Sequence, residues 1–213
     1  MRRENITVTI EKIVPGGDGL GRFEGRVVFV PFTAPGDVVL VKPRTVKKQF
    51  IKGDMVKLIE PSPMRILPRC KHFTRCGGCN YQHIGYEDQL VLKREHVVDA
   101  LTRIGKLSLS FAPEIVASQP WAYRNRVRFQ VGAKGTQFFA GFHQAQSHIV
   151  EPVGECPILI PELETLIHKR DWSISDTPDK RFFGLEGSVY DSEKIFSTTV
   201  KEKEVFLSNA VFF

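Results

Sequence analysis

Cys70, Cys76 and Cys79 stand in the pattern Cys-x5-Cys-Gly-Gly-Cys, and Cys156, followed by Pro157, comes after 76 intervening residues. These are the only four cysteines in the chain. Thiolates are soft ligands, and four of them suit a soft metal centre: an iron–sulfur cluster or zinc. A zinc ribbon or finger wants two close pairs, and only Cys76 and Cys79 make one. A thioredoxin-like pair would leave Cys70 and Cys156 without a role. Three cysteines from one loop and one from afar favour a cubane iron–sulfur cluster, with zinc, disulfides or idle thiols left open. His72 and His83 flank the cysteine loop and are expected beside the metal or at the surface, not as ligands.

The second chemical signal is Tyr123-Arg124-Asn125-Arg126-Val127-Arg128-Phe129. Read as a strand, it projects Arg124, Arg126 and Arg128 from one face, about 7 Å apart, close to the spacing of successive phosphates. A guanidinium grips phosphate bidentately and stacks on bases. Lys42, Arg44, Lys47, Lys48, Lys52 and Lys57 form a second basic stretch, with Asp54 the only acid among them and Phe50 inside it. The net charge of +6 is uneven: residues 1–161 carry 23 Lys/Arg against 14 Asp/Glu, residues 162–213 carry 7 against 10. A basic front part points to a polyanionic partner. The blander alternatives are a solvated sheet face and an edge strand protected by lysines.

The elements that must position these groups begin with five short strands expected between residue 5 and about residue 60, four of them placed at 5–14, 26–30, 38–46 and 54–60, with Gly-rich corners. This pattern predicts an all-β, OB-like closed barrel. Gly16–Gly21 reads as a turn cluster; it lacks the spacing of a dinucleotide fingerprint. Pro61-Ser62-Pro63 ends the barrel as a stiff linker. A helix is expected over 86–104, with Leu90, Val97, Leu101 and Ile104 on one stripe and Gly105 as its stop. Residues 114–153 read as strand, 161–170 as a short helix, and 181–190, 194–200 and 204–213 as further strands. The second half is thus expected to be α+β. Trp121 and Trp172 are expected in the core. No signal peptide or apolar span is read in the sequence, so cytoplasmic residence and no membrane partner are expected.

The cysteine pattern with Gln82-His83, Tyr86-x2-Gln89 and Lys93 resembles the iron–sulfur segment of bacterial RNA (uracil-5-)-methyltransferases. Gly-Gly-Asp-Gly-Leu-Gly-Arg and Pro-Gly-Asp are similar to that family's N-terminal TRAM barrel. Tyr123-Arg124-Asn125 and Cys156-Pro157 fall where it has its central strand and fourth cluster ligand. The resemblance implies a 4Fe–4S cluster on Cys70, Cys76, Cys79 and Cys156. It also implies structured rRNA or tRNA as partner, and the use of S-adenosylmethionine to methylate carbon 5 of a uridine. It divides the chain into a TRAM barrel (1–62), an iron–sulfur loop and helix (63–112), an α+β central domain (113–205) and the start of a methyltransferase domain (206–213). Val211-Phe212-Phe213 resembles the threshold of the catalytic part. The cofactor glycines and the nucleophile segment have no counterpart, so neither a catalytic residue nor an S-adenosylmethionine-binding residue is expected here. A separate C-terminal methyltransferase fragment is then a candidate partner, and an apolar edge is expected at 205–213. Redox sensing and a zinc-bound RNA-binding module are the competing functions.

The chain alone is expected to transfer no methyl group from labelled S-adenosylmethionine to RNA unless a C-terminal fragment is supplied. Methylated RNA from the unsupplemented chain would overturn that expectation.

Overall fold

A computed structural model describes residues 4–134 and 137–169. The strands expected at 181–190, 194–200 and 204–213, Trp172 and the apolar edge lie outside the described residues. Two compact units divide the chain: residues 1–74 with 79–118, and residues 75–78 with 119–213.

In the first unit, β1 (Ile6–Ile13), β2 (Gly19–Phe23), β3 (Arg26–Val30), β4 (Val38–Val46) and β5 (Phe50–Glu60) close a barrel in the order β1-β2-β3-β5-β4. β3 and β5 run parallel and every other pairing is antiparallel. The period-two alternation turns Val8, Ile10, Val28, Val30, Val39, Val41 and Ile51 into the barrel interior, all essentially buried. The glycine cluster expected to be only a turn supplies a strand as well. Its first half turns, with Gly16 and Gly17 at positive φ, but Gly19 and Gly21 lie within β2. A Cβ at Gly19 would collide with the Thr33 hydroxyl, and one at Gly21 with the backbone of Thr9 and with Val8. These glycines therefore let strands approach closely.

Beneath the barrel, α1 (Tyr86–Asp99) runs into one π-helical turn, Ala100–Ile104, that ends at Gly105. The helix is where periodicity placed it, but its buried side differs. Leu92 packs with Ile13, Ala34 and Ile84, whereas Val97 and Ile104 of the expected stripe are exposed. His96 adds a 2.9 Å hydrogen bond from Nε2 to the Ile13 carbonyl.

The linker is held by charge. Asp37 of the Pro-Gly-Asp turn is fully buried, yet accepts hydrogen bonds from the amides of Ala34 and Ser62 and from Arg65 Nε and NH2. Arg65 also donates to the Phe32 carbonyl at 3.0 Å. One carboxylate thus ties the β3–β4 connection to the segment that leaves the barrel, 25 and 28 residues away in sequence.

The second unit contains a three-stranded antiparallel sheet, β6 (Gln130–Lys134), β7 (Gln137–His143) and β8 (Val150–Pro152), and helix α2 (Pro161–Lys169). Its interior includes Phe129, Ala140, Val153, Ile158, Leu159, Leu163 and Ile167, with Phe129 stacked on Phe142 at 5.2 Å between centroids. The strand expected over 123–129 is not one. Ala122, just before it, sits at φ 51°, a left-handed conformation, and within it only Arg124 pairs, in a single bridge to Leu159.

Burial opposes ionisation of Asp37, but the hydrogen bonds from Arg65, Ala34 and Ser62 outweigh it and hold the carboxyl below its ordinary range. The folded state therefore binds fewer protons than the unfolded chain, and this stability is lost as pH falls through the carboxylate range. At neutral pH, Arg65→Met leaves a buried unpaired carboxylate and is expected to cost about 3–5 kcal/mol in chemical denaturation. Asp37→Asn combined with Arg65→Met is expected to cost less than the two single losses added. A single Arg65→Met loss under about 1 kcal/mol would contradict this role for the pair.

A cysteine loop and two basic surfaces

The cysteine loop is mostly turns, so its backbone groups find partners outside regular ladders. In the first unit, Gln82 receives a 3.1 Å hydrogen bond from the Cys70 amide, and Asn80 Nδ2 donates to the Gly16 carbonyl at 2.8 Å. His83, 2 % exposed, lies 3.0 Å from the Thr33 carbonyl through Nε2 and stacks on Phe73 at 5.5 Å. Burial lowers the pKa of His83, partly opposed by that carbonyl. The ring is neutral at pH 7, with Nε2 carrying the proton. His72 is buried too, so of the two places expected for these histidines, beside the metal or at the surface, the surface is excluded for both.

In the second unit, Cys76 bridges Gln144, and the Gly77 amide donates to the His143 carbonyl at 2.9 Å. A Cβ on Gly77 would lie 2.9 Å from that carbonyl oxygen and 3.0 Å from the Ala145 nitrogen, which explains the first glycine of the Gly-Gly pair. The Gly78 amide donates to Cys76 Sγ at 3.4 Å. A Cβ on Gly78 would stand 3.5 Å from that sulfur and 4.0 Å from the Arg124 guanidinium, so Arg124 reaches the cysteine loop. Its backbone pairs with the segment just after Cys156: Arg124 N to Ile158 O at 2.8 Å and Ile160 N to Arg124 O at 3.1 Å. The Cys156 amide is capped by Glu164 of α2 at 3.0 Å. Arg75 pairs with the nearly buried Glu151 at 2.8 Å.

Cys70, Cys76 and Cys79 are half-buried thiols and Cys156 is buried. Cys70 and Cys79 belong to the first unit, Cys76 and Cys156 to the second. Among the described residues, no three Cys, His, Asp or Glu side chains stand together to hold a metal. The donor chemistry suits a soft metal, while a preassembled cage is absent from the described residues.

The two basic regions differ. Arg124 and Arg126 are half-buried and Arg128 is exposed, so the three expected to form one row are not equally accessible. On the barrel, Lys42, Arg44, Lys47, Lys48, Lys52 and Lys57 are all exposed. Arg44 is paired with Asp54 at 3.0 Å, but no carboxylate among the described residues pairs with Lys42, Lys47, Lys48 or Lys52. Alternation along β4 and β5 places Lys42, Arg44 and Lys52 outside the barrel, opposite Val41 and Ile51. Sequence reasoning missed Asp37, Arg65 and the burial of His83. The Pro-Gly-Asp turn was a visible signal for the first, but its partner lies 28 residues on. No helix among the described residues is long and apolar enough to cross a membrane.

A closed five-stranded barrel of this order places the first unit among the OB-like β modules. Residues 1–56 match the TRAM domain family. The chain carries a TRAM domain and is a homologue of the RNA (uracil-5-)-methyltransferases. It is 43 % identical over 190 residues to an uncharacterized RNA methyltransferase of Nostoc sp., covering 85 % of this chain and 41 % of that protein. It is 39 % identical over 166 residues to the 23S rRNA (uracil(1939)-C(5))-methyltransferase RlmD of Pectobacterium atrosepticum, covering 77 % and 37 %. Among solved structures, the Pyrococcus abyssi tRNA (uracil-54, C5)-methyltransferase in complex with S-adenosyl-L-homocysteine aligns with a TM-score of 0.51 at 28 % identity. That alignment covers 76 % of this chain and 35 % of that one. The chain therefore spans about two fifths of the length of these relatives.

Because folding holds His83 neutral below its unfolded pKa, its contribution is present above about pH 6.5 and is lost as pH falls. Stability measured at about pH 7.5 and about pH 5.5 is expected to drop for the wild type and to drop less for His83→Gln. Equal drops would contradict the assignment.

Proposed function

We propose that this chain is the RNA-recognition portion of an S-adenosylmethionine-dependent RNA (uracil-5-)-methyltransferase acting on structured rRNA or tRNA. The observation that carries the reading is the TRAM barrel, whose exterior presents exposed lysines that no carboxylate among the described residues pairs, in a chain homologous to RNA methyltransferases. Lys42, Arg44, Lys47 and Lys48 on the barrel and Arg124, Arg126 and Arg128 in the second unit hold phosphates. Arg128 and the barrel lysines are the exposed members of that set; Arg124 also neighbours the cysteine loop. S-adenosylmethionine and methyl transfer belong to the whole methyltransferase, with a separate C-terminal fragment as one way to supply them; no residue of this chain is assigned to catalysis.

Cys70, Cys76, Cys79 and Cys156 hold a 4Fe–4S cluster in this proposal. What supports it is the donor set and the Gly78 amide directed at Cys76 Sγ; hydrogen bonds to cluster sulfurs are among the protein's means of tuning such a group. The ligands gather as the metal enters, because metal binding and folding are linked. A structural cluster of this kind would brace the loop beside Arg124.

Two measurements test the proposal. RNA affinity should fall steeply with salt, and removing the side chains of Lys47 and Lys48 should reduce the log–log slope by about one for each phosphate left unneutralised. Salt-independent binding, or none, would contradict RNA recognition. Anaerobically purified chain should contain about four iron atoms with matching acid-labile sulfide. Zinc without iron would replace the cluster by a zinc site, and the absence of both metals would remove it.

A further inference from the structure

We propose that Arg75 and Glu151 are positioning residues for Cys76: they hold it on the β7–β8 hairpin of the second unit before metal binds, and so set how firmly the metal is kept. The inference rests on the metal-binding reading of the four cysteines above and adds which residues make one of those ligands ready in advance.

Strand register and hydrogen bonds place the group. β7 and β8 pair Phe142 with Glu151 and His143 with Val150, and their turn closes through the Gln144 amide on the Ile149 carbonyl at 2.9 Å. Glu151 is only 8 % exposed. Its Oε1 accepts from Arg75 Nε at 2.8 Å and its Oε2 from the Gln144 side-chain amide at 3.2 Å, so each carboxylate oxygen has a partner. Arg75 immediately precedes Cys76. The Cys76 backbone bridges Gln144, and the next amide, that of Gly77, donates to the His143 carbonyl at 2.9 Å. Contacts of residues 75–77 thus converge on His143, Gln144 and Glu151, all in one hairpin. Gly77 has no room for a Cβ against His143 and Ala145, so the two backbones lie close together.

The Gln144 contact alone would serve the hairpin, whereas the Arg75 contact reaches to a loop distant in sequence. Burying a carboxylate is costly unless a cation and hydrogen-bond donors meet it, so Glu151, once placed by β8, fixes Arg75. Just upstream, Thr74 sits at φ 76°, the left-handed region, where a β-branched residue is strained and stays only when its surroundings compel it. The anchoring of Arg75 supplies that constraint. With Cys76 fixed in this way, metal entry has one ligand fewer to order. Residues that orient a ligand from behind typically change metal affinity by about 10–100-fold when replaced.

The test uses the full chain, purified anaerobically with its metal, and two readouts. The first is loss of the bound metal to EDTA: Glu151→Gln and Arg75→Met are each expected to lose it about tenfold faster than wild type. Arg75→Lys, which keeps the charge, should stay near wild type. The second is alkylation of the metal-free chain by iodoacetamide, resolved by mass spectrometry: Glu151→Gln and Arg75→Met should raise the rate at Cys76 and leave Cys156 unchanged. A role confined to hairpin stability would not move Cys76 selectively. Thermal unfolding checks the fold. Should a single variant unfold, Arg75→Met combined with Glu151→Gln, which leaves no unpaired buried charge, decides by the same two readouts. A wild type carrying neither iron nor zinc overturns the metal reading and this inference together. A wild type that holds metal, with folded variants that lose it no faster or leave Cys76 reactivity unchanged, overturns this inference alone.

Discussion

A single buried carboxylate organises the first unit. Asp37 has no exposure to solvent and would be expensive to bury charged, yet two backbone amides and a guanidinium surround it and keep it ionised. The same group that terminates the β3–β4 connection therefore fixes where Ser62 and Arg65 go. That fixes the path of the chain out of the barrel. Removing one partner leaves an uncompensated charge, so the arrangement behaves as all or none.

From that clamp the rest of the unit follows. With the linker held, residues 81–84 fold back: Ile84 enters the small core with Ile13, Ala34 and Leu92, and His83 reaches the Thr33 carbonyl. The cysteine loop is thereby attached at both its approach and its exit to a barrel that is already closed. The outward positions take no part in the barrel core, because closure satisfies the strand edges and the core uses only inward residues. Lysines occupy outward positions. In the second unit, Arg124 is held by the segment after Cys156 and approaches Gly78, so a basic group and the cysteine loop share one neighbourhood.

Much of this was legible in the residues, because the barrel strands alternate cleanly and a helix stop at Gly105 is explicit. The basic exterior was legible too, since period two sends Lys42 and Arg44 outward whatever the details. Other features depend on packing between segments far apart in the chain. Arg124–Arg128 has the composition of a strand, but only one bridge forms there, and Arg124 and Arg126 are half-buried while Arg128 is exposed. The helix stripe was misplaced because α1 packs through Leu92 on a core to which the distant Ile13 and Ala34 contribute. Gly19 and Gly21 looked like turn residues until Thr33 and Thr9 were placed against them. His83 was expected beside the metal or at the surface; its ring is buried and bonded to Thr33, 50 residues earlier, a partner that no local pattern announces.

The central claim is that this chain grips RNA through the outside of its barrel. Hydrogen exchange of the full chain, with and without an RNA containing an unpaired loop, tests it most directly. The account predicts slowed exchange in peptides spanning 42–52, with the barrel interior unchanged. Protection confined to other segments, or none at saturating RNA, would contradict it.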